Sequence, residues 1–152
     1  MYNYKVDLVL GTRPELIKLA PVFQSLNSFL PNIRIVSTGQ HKEMLDQTFE
    51  VFGIRPSIDL DLMRKNKSLE EILISAINKL HKQWSKSKPD LVVVHGDTIS
   101  TLAGAMASFY KKIPIAHIEA GLRSGNIWEP FPEESHRKMV AAMTSIHFPP
   151  TV

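Results

Sequence analysis

Apolar residues along the chain alternate between short continuous runs and longer segments with helical spacing. The short runs, in which Val, Ile and Leu follow one another, are typical of strands that are covered on both faces of a sheet. Between them, apolar residues recur every three or four positions, as they do on one face of a helix. We predict strands at Lys5–Gly11, Ile33–Thr38, Asp90–Asp97, Ile113–Glu119 and Ile146–Phe148, with a short and weaker one within residues 57–62.

Five segments are predicted to be helices: Pro14–Leu30, His41–Gly53, Ser68–Ser87, Thr101–Lys112 and Pro132–Thr144. Ser68 is followed three residues later by Glu71, which is the pattern of a capping box. Pro21 lies inside the first helical segment, so we expect a kink there or a position near the first turns. The fourth helix is rich in small residues, which would let it pack close to a sheet.

The regular alternation of strand and helix predicts an α/β fold. Right-handed crossovers would give a parallel sheet with helices on both faces. We find no internal repeat, low-complexity segment or linker. The chain stops directly after a predicted strand, where an α/β protein usually continues, so we expect it to be part of a longer protein.

Composition and charge narrow the functional classes. The 152 residues carry a formal net charge of only +3 and include no cysteine. The lysines are scattered along helices without interleaved aromatic residues, which argues against a nucleic-acid surface. Disulfides and thiolate chemistry are excluded, and no stretch is long enough to span a membrane. We therefore predict a soluble, cytoplasmic protein that binds neither nucleic acid nor membrane.

Candidate chemistry gathers after the predicted strands, because ligands of open parallel sheets bind beyond the carboxyl ends of the strands. The first strand leads into Gly11–Glu15, where Arg13 stands beside a helix start. An arginine at a helix amino terminus suits an anion such as phosphate, although a salt-bridged turn explains the same residues. Neither the glycine fingerprint of dinucleotide-binding folds nor a Walker A motif is present.

Two later strands each end in a histidine followed two residues on by an acid. The pairs are His95 with Asp97 and His117 with Glu119, and each pair shares one face of its strand. No metal-binding spacing accompanies them, so histidines bonded to the backbone are the better interpretation and we predict no metal. For Asp97, an N-cap role at the next helix remains a second interpretation.

The segment after the fifth strand adds further acids. Glu133 and Arg137 are four residues apart on one predicted helix face, whereas Glu134 points elsewhere. A surface ion pair is the simple interpretation. The alternative is that the first turn folds over the carboxyl edge of the sheet, with Trp128 and Phe131 excluding water. Three acids near a phosphate-binding arginine suit proton transfer at carbon beside a phosphorylated leaving group.

Five motifs, in their order and spacing, carry a family resemblance over essentially the whole chain: LGTRPELIKLAP, TGQHKEMLDQ, LVVVHGDT, HIEAGLRSG and PFPEESHRK. They closely resemble the bacterial non-hydrolysing UDP-N-acetylglucosamine 2-epimerases. The resemblance implies two Rossmann-like domains that face each other across a cleft, as in the GT-B glycosyltransferases. Residues 1–152 would form the first domain, and the second, UDP-binding domain with its catalytic histidine is absent from this chain.

The resemblance also implies an activity and its residues. Family members interconvert UDP-GlcNAc and UDP-ManNAc, for cell-envelope polysaccharide synthesis, by eliminating and re-adding UDP through a 2-acetamidoglucal without a redox cofactor. The implied catalytic residues are Asp97, Glu119, Glu133 and Arg137. Arg13 and Lys18 match positions near the UDP phosphates, and a second, activating UDP-GlcNAc would bind near Gln40, His41 and Glu43. A homodimer is expected, with an unassigned interface.

Some features depart from the family pattern or leave other functions open. His136 stands where Asn is expected, and Phe131 where Trp is common. An epimerase for a related UDP-amino sugar, a hydrolysing relative that releases ManNAc, and a non-catalytic nucleotide-sugar-binding or dimerisation module remain alternatives. An NAD-dependent oxidoreductase is disfavoured because the glycine fingerprint is missing.

Overall fold

The computed structural model describes residues 3–39, 42–62 and 68–150. Within these ranges the strands are β1 (Lys5–Leu10), β2 (Asn32–Ser37), β3 (Ile58–Asp59), β4 (Leu91–His95), β5 (Ile115–Ile118) and β6 (Ile146–Phe148). The helices are α1 (Arg13–Asn27), α2 (Lys42–Phe52), α3 (Leu69–Lys86), α4 (Ile99–Tyr110) and α5 (Glu133–Met143).

All the described strands pair in parallel in one sheet, in the order β3-β2-β1-β4-β5-β6. The predicted α/β fold is therefore confirmed. The weak strand predicted within residues 57–62 shortens to two residues at the edge of the sheet. The order reverses between β1 and β4, which creates the crevice where ligands of such sheets bind.

The sheet has a buried core on each face, and the two cores involve different helices. Val9, Val92 and Val94 pack with residues of α3, α4 and α5 on one face. On the other face, Leu8 and Leu10 pack with residues of α1 and α2. Because neighbouring strand residues point to opposite faces, this division explains the continuous apolar runs. Helices on both faces are thus confirmed.

The small residues of α4 let it approach the sheet closely, as predicted. A Cβ atom added to Gly104 would lie 3.0 Å from Val94 Cγ1 and 3.2 Å from Val9 Cγ1. These distances are shorter than ordinary van der Waals contacts between carbon atoms. The glycine therefore sets how near this helix lies to β1 and β4.

Helix starts follow local capping chemistry. The predicted capping box at α3 is confirmed, since Ser68 N–H donates to Glu71 Oε2 at 2.8 Å and Ser68 Oγ accepts from Glu71 N–H at 3.3 Å. The alternative role of Asp97 as N-cap is wrong. Thr98 caps α4 instead, its hydroxyl accepting from Thr101 N–H at 3.2 Å, so Asp97 is left for other contacts.

Pro21 lies within α1, with helix on both sides and beyond its first turns. In the described residues, no helix combines the length and the apolar character needed to cross a membrane.

Candidate active site

The turn after β1 brings tightly packed backbone to the carboxyl edge of the sheet. A Cβ atom at Gly11 would collide with the hydroxyl groups of Ser100 and Thr38, so the position requires glycine. The chain then enters α1 at Arg13, whose side chain is exposed. Arg13 has no acidic partner among the described residues, and it stands where backbone N–H groups and the helix dipole favour an anion.

Glu15 is a buried carboxylate that joins this turn to the turn after β4. Only 1% of it is exposed. It accepts hydrogen bonds from the N–H groups of Gly11 and Thr12 at 2.8 and 2.7 Å and from the Thr98 hydroxyl at 2.6 Å. The Thr12 and Thr101 hydroxyls donate to it at 2.9 and 3.1 Å. Glu15 was not among the predicted site residues, although an acid three residues after Thr12 is the signal of a capping box.

The turn after β4 presents Asp97. Gly96 adopts a left-handed conformation with φ of +69°. The buried side chain of His117 places Nε2 2.7 Å from Gly96 O, and that of His136 places Nδ1 2.8 Å from Asp97 O. The predicted bond to the backbone is confirmed for His117 and is wrong for His95, whose Nε2 contacts the carboxylate of Glu119 instead. Burial lowers the pKa of His117.

Arg137 reaches from α5 to the carboxylate of Asp97 and forms an ion pair with it. The simple interpretation of a surface pair between Glu133 and Arg137 is therefore wrong, and no such pair joins these two described residues. Glu133 Oε2 is buried without a hydrogen-bond partner in the described part of the chain. The start of α5 does fold over the carboxyl edge of the sheet, as the alternative predicted.

Glu119 follows β5 in a left-handed conformation with φ of +60°, which is unusual for a residue other than glycine. Its Oε2 atom contacts Lys18 Nζ and lies 2.8 Å from His95 Nε2. The contact with His95 is close but lacks the direction of a good hydrogen bond. Burial tends to raise the pKa of Glu119, but Lys18 and His95 outweigh it and leave the pKa below its ordinary value.

Burial also lowers the pKa of His95. At neutral pH the group around Glu119 therefore consists of an ionised carboxylate, a neutral imidazole and the positive charge of Lys18.

These side chains line one cleft of about 600 Å³ at the crevice between β1 and β4. Its lining residues are Thr12, Arg13, Pro14, Glu15, Lys18, Met44, His95, Gly96, Asp97, Thr98, Glu119 and Arg137. The structure thus brings together five of the predicted site residues, whereas Glu133 lies one turn away in α5 and outside the lining. Cationic groups beside carboxylates can hold an anion while a proton is moved.

A cavity of about 700 Å³ lies elsewhere, beside the end of α2, lined by residues such as Asp46, Glu50 and Arg55. We favour the smaller cleft as the active site. Of these two cavities, it is the one that combines the buried Glu15, the partly buried Asp97 and Glu119, a histidine and a helix amino terminus. Within residues 3–39, 42–62 and 68–150, no three His, Asp or Glu side chains are grouped so as to hold a metal ion.

Of two predictions about the segment around the start of α5, one is wrong and one is confirmed. Trp128 and Phe131 do not cover the cleft, since they are 71% and 60% exposed and stack on each other with ring centroids 6.0 Å apart. Glu134 points away from the face of Glu133 and Arg137, as predicted; it is fully buried and accepts a hydrogen bond from Ser124 N–H at 3.0 Å. It anchors the long loop to α5, and this bond lowers the pKa of Glu134.

Of the three residues predicted to bind a second nucleotide sugar, the structure describes only one. Glu43 lies exposed in the first turn of α2. Gln40 and His41 fall outside the described residues.

Comparison with known proteins shows which family the chain resembles. Residues 28–152 match the protein family described as UDP-N-acetylglucosamine 2-epimerase. The chain is 46% identical to the UDP-N-acetylglucosamine 2-epimerase of Bacillus subtilis strain 168, an alignment that covers 99% of this chain and 40% of the relative. The match to that enzyme in Neisseria meningitidis is also 46% identical and covers 97% and 40%.

Solved structures show the same fold. The crystal structure of UDP-GlcNAc 2-epimerase from Neisseria meningitidis bound to UDP-GlcNAc superposes with a TM-score of 0.92, at 46% identity over 97% of this chain and 40% of that one. The enzyme from Methanocaldococcus jannaschii, in complex with UDP-GlcNAc and UDP, gives a TM-score of 0.90 at 36% identity over 97% and 40%. This chain spans about 40% of the length of these relatives, and it belongs to the UDP-N-acetylglucosamine 2-epimerase family.

Proposed function

We propose that this chain is the N-terminal catalytic half of an enzyme that interconverts UDP-GlcNAc and UDP-ManNAc. One observation supports this most strongly: Asp97 and Glu119 share a cleft with the cationic groups of Lys18, Arg13 and Arg137. Relatives of similar sequence have been crystallised with UDP-GlcNAc in place. A pure nucleotide-sugar-binding module would need the cations but not the acids.

The proposed reaction is an elimination followed by an addition. A carboxylate removes the proton from C2, the released electron pair forms the C1–C2 double bond, and UDP leaves C1 with the electrons of the C–O bond. UDP then adds back to C1 of the 2-acetamidoglucal while a proton is delivered to the opposite face of C2. No electrons are gained or lost overall, so the reaction requires no redox cofactor.

The acids in our proposal are Asp97, Glu119 and Glu133. The C2 proton is only weakly acidic, so its removal needs a base held in position close to the carbon. Glu119 is ionised through its contact with Lys18, which suits a base.

Departure of UDP requires positive charge at the diphosphate. Arg13 and Lys18 lie on the first turns of α1, where the helix dipole adds to their charge. We propose that both hold the phosphates. Arg137, paired with Asp97 in the structure, is proposed to assist the leaving group.

The rest of the enzyme belongs to the proposal as well. We propose that a second, UDP-binding Rossmann-like domain supplies the other wall of the cleft and a catalytic histidine, in a GT-B arrangement. A homodimer, a second UDP-GlcNAc bound near Gln40, His41 and Glu43, and a role in making cell-envelope polysaccharide remain predictions from the family resemblance. A cytoplasmic location remains a prediction from the composition.

The test is to incubate the complete polypeptide that carries this chain with UDP-GlcNAc in D₂O and to follow C2 of the sugar by NMR. We expect UDP-ManNAc with deuterium at C2. Free ManNAc with an equal amount of UDP would instead indicate a hydrolysing enzyme. If C2 shows no exchange, the substrate assignment is wrong, and a related UDP-amino sugar or a binding role becomes the better hypothesis.

A further inference from the structure

Two histidines bind the two carbonyl groups that flank the α-carbon of Asp97. His117 comes from β5 and bonds Gly96 O at 2.7 Å, while His136 comes from α5 and bonds Asp97 O at 2.8 Å. Both imidazoles are buried, with 0% and 5% of each residue exposed. Two separate elements thus hold successive peptide groups of one turn.

The acceptors define which ring nitrogen carries hydrogen. A carbonyl oxygen only accepts, so His117 must donate from Nε2 and His136 from Nδ1. His117 Nδ1 is buried and has no hydrogen-bond partner in the described ranges. Since burial disfavours a proton on that atom, His117 is neutral with its hydrogen on Nε2. Each histidine therefore donates its hydrogen bond from one defined ring nitrogen.

Holding both carbonyls constrains the backbone of Asp97. Peptide groups are planar, so fixing the planes before and after an α-carbon fixes its φ and ψ and the direction of its Cβ. Gly96 is a glycine at φ of +69°, which gives the turn conformational freedom that must be restrained. Arg137, the residue after His136, holds the carboxylate itself. One turn of α5 consequently binds both the backbone and the side chain of Asp97.

We propose that His117 and His136 are positioning residues that together aim the Asp97 carboxylate into the cleft. The proposal rests on the proposed function for the role of Asp97 in turnover. Neither histidine needs to touch the substrate. Because His136 and Glu133 lie on the same helix, the bond to Asp97 also sets the distance between acids that come from two different elements.

The geometry of the two bonds allows matched substitutions. The amide nitrogen of Asn is one bond from Cγ, as is Nδ1 of His, whereas the amide nitrogen of Gln is one atom farther out, as is Nε2. His136→Asn and His117→Gln therefore keep a donor in place. His136→Gln and His117→Asn move it by one atom.

The experiment measures kcat and KM for UDP-GlcNAc in the complete polypeptide and these four variants, with the exposed His81→Asn on α3 as the control. We expect the two matched variants to stay within several-fold of the parent. The two mismatched variants should lose about 10²-fold in kcat, the typical effect of a small misplacement of a reacting group. KM should change little, because Asp97 is not proposed to hold the nucleotide. Equal kcat values for the matched and the mismatched variant of each histidine would overturn the proposal.

A second measurement is independent of catalysis. ¹⁵N NMR of the parent protein distinguishes protonated from unprotonated ring nitrogens, and we expect hydrogen on Nε2 of His117 and on Nδ1 of His136. The opposite tautomer at either histidine would overturn the proposal even if every variant failed to fold. If the parent protein is folded and shows these tautomers but lacks epimerase activity, the proposed function is wrong, whereas the contacts of the two histidines with the backbone are confirmed.

Discussion

At the scale of single residues, Glu119 shows how neighbours decide the protonation state of a partly buried acid. Burial alone would favour the neutral form, because it removes water from the carboxylate. Lys18 and His95 both approach the same oxygen, and together they reverse that effect. The second oxygen, Oε1, takes no part in these two contacts. The acid is therefore held by one oxygen and can act with the other.

Replacing Lys18 by Met should raise the pKa of Glu119. The lysine charge is one of the effects that lower this pKa, so without it burial weighs more. Less Glu119 is then ionised at mildly acidic pH. We expect the acidic limb of the kcat/KM profile to move to higher pH.

The profile is measured in the complete polypeptide, and Lys82→Met on the exposed side of α3 is the control. A fall in kcat/KM at all pH values would reflect loss of a phosphate contact and is separate from the position of the limb. An acidic limb that stays in place or moves to lower pH would contradict the argument.

At the scale of secondary-structure elements, a buried ion pair ties together three elements far from the carboxyl edge. Asp7 on β1 accepts two hydrogen bonds from Arg34 on β2, both at 2.8 Å, and one from Trp84 Nε1 on α3, also at 2.8 Å. Asp7 has no exposed surface. This cluster fixes α3 against the sheet while the opposite edge is left for the cleft.

Substituting Asp7 with Ala should destabilise the fold by about 3–5 kcal/mol. The change removes one partner of a buried pair and leaves the guanidinium and the indole N–H without their acceptor. Urea unfolding followed by circular dichroism measures the loss. The exposed Glu50→Ala on α2 serves as a control and should change stability by less than about 0.5 kcal/mol. A similar small effect for Asp7→Ala would mean that water replaces the carboxylate at little cost.

Local patterns predicted the elements well and their long-range partners poorly. The capping box of α3 and the small residues of α4 could be recognised because their causes lie within a few positions of sequence. The sequence offered Asp97 as a possible N-cap of α4, whereas Thr98 holds that position in the structure. Two adjacent polar residues offer the same capping chemistry, so the pattern alone does not distinguish them. Arg137 was matched with Glu133 on its own helix, since spacing along a helix carries no information about Asp97 across the sheet.

At the scale of the whole molecule, the reversal of strand order between β1 and β4 explains why distant residues share one cleft. Lys18, Asp97 and Glu119 lie far apart in sequence and meet because the strands before them all end at the same edge. This convergence was predictable from the alternation of strands and helices. The exposure of Trp128 and Phe131 was not, because the path of a long loop depends on contacts such as that of the buried Glu134 with Ser124.

Stability should depend on pH through two of the buried histidines, His95 and His117. The pKa values of His95 and His117 lie below the ordinary value of 6.5, so the unfolded chain binds more protons than the folded one. Their contribution is fully present above pH 6.5 and is lost as the pH falls from there towards the folded-state pKa values. We expect Tm to fall as the pH is lowered from 7.5 to about 5. This interval lies above the range in which carboxylates such as Glu119 titrate. A Tm that is constant or rises over this interval would contradict the neutral state of these imidazoles.

The isolated 152-residue chain should not epimerise UDP-GlcNAc. Its cleft has one wall, built from α1, α2, α5 and the turns at the ends of β4 and β5, and the chain spans about 40% of the length of relatives crystallised with this ligand. A reacting sugar needs groups on both sides of C2 and a closed site that holds the departing diphosphate. Equal molar amounts of the isolated chain and the complete polypeptide are incubated with UDP-GlcNAc, and UDP-ManNAc is followed by NMR. Turnover by the isolated chain at a comparable rate would contradict this prediction. It would show that this part of the cleft suffices for the reaction and that Arg13, Lys18 and Arg137 alone hold the diphosphate.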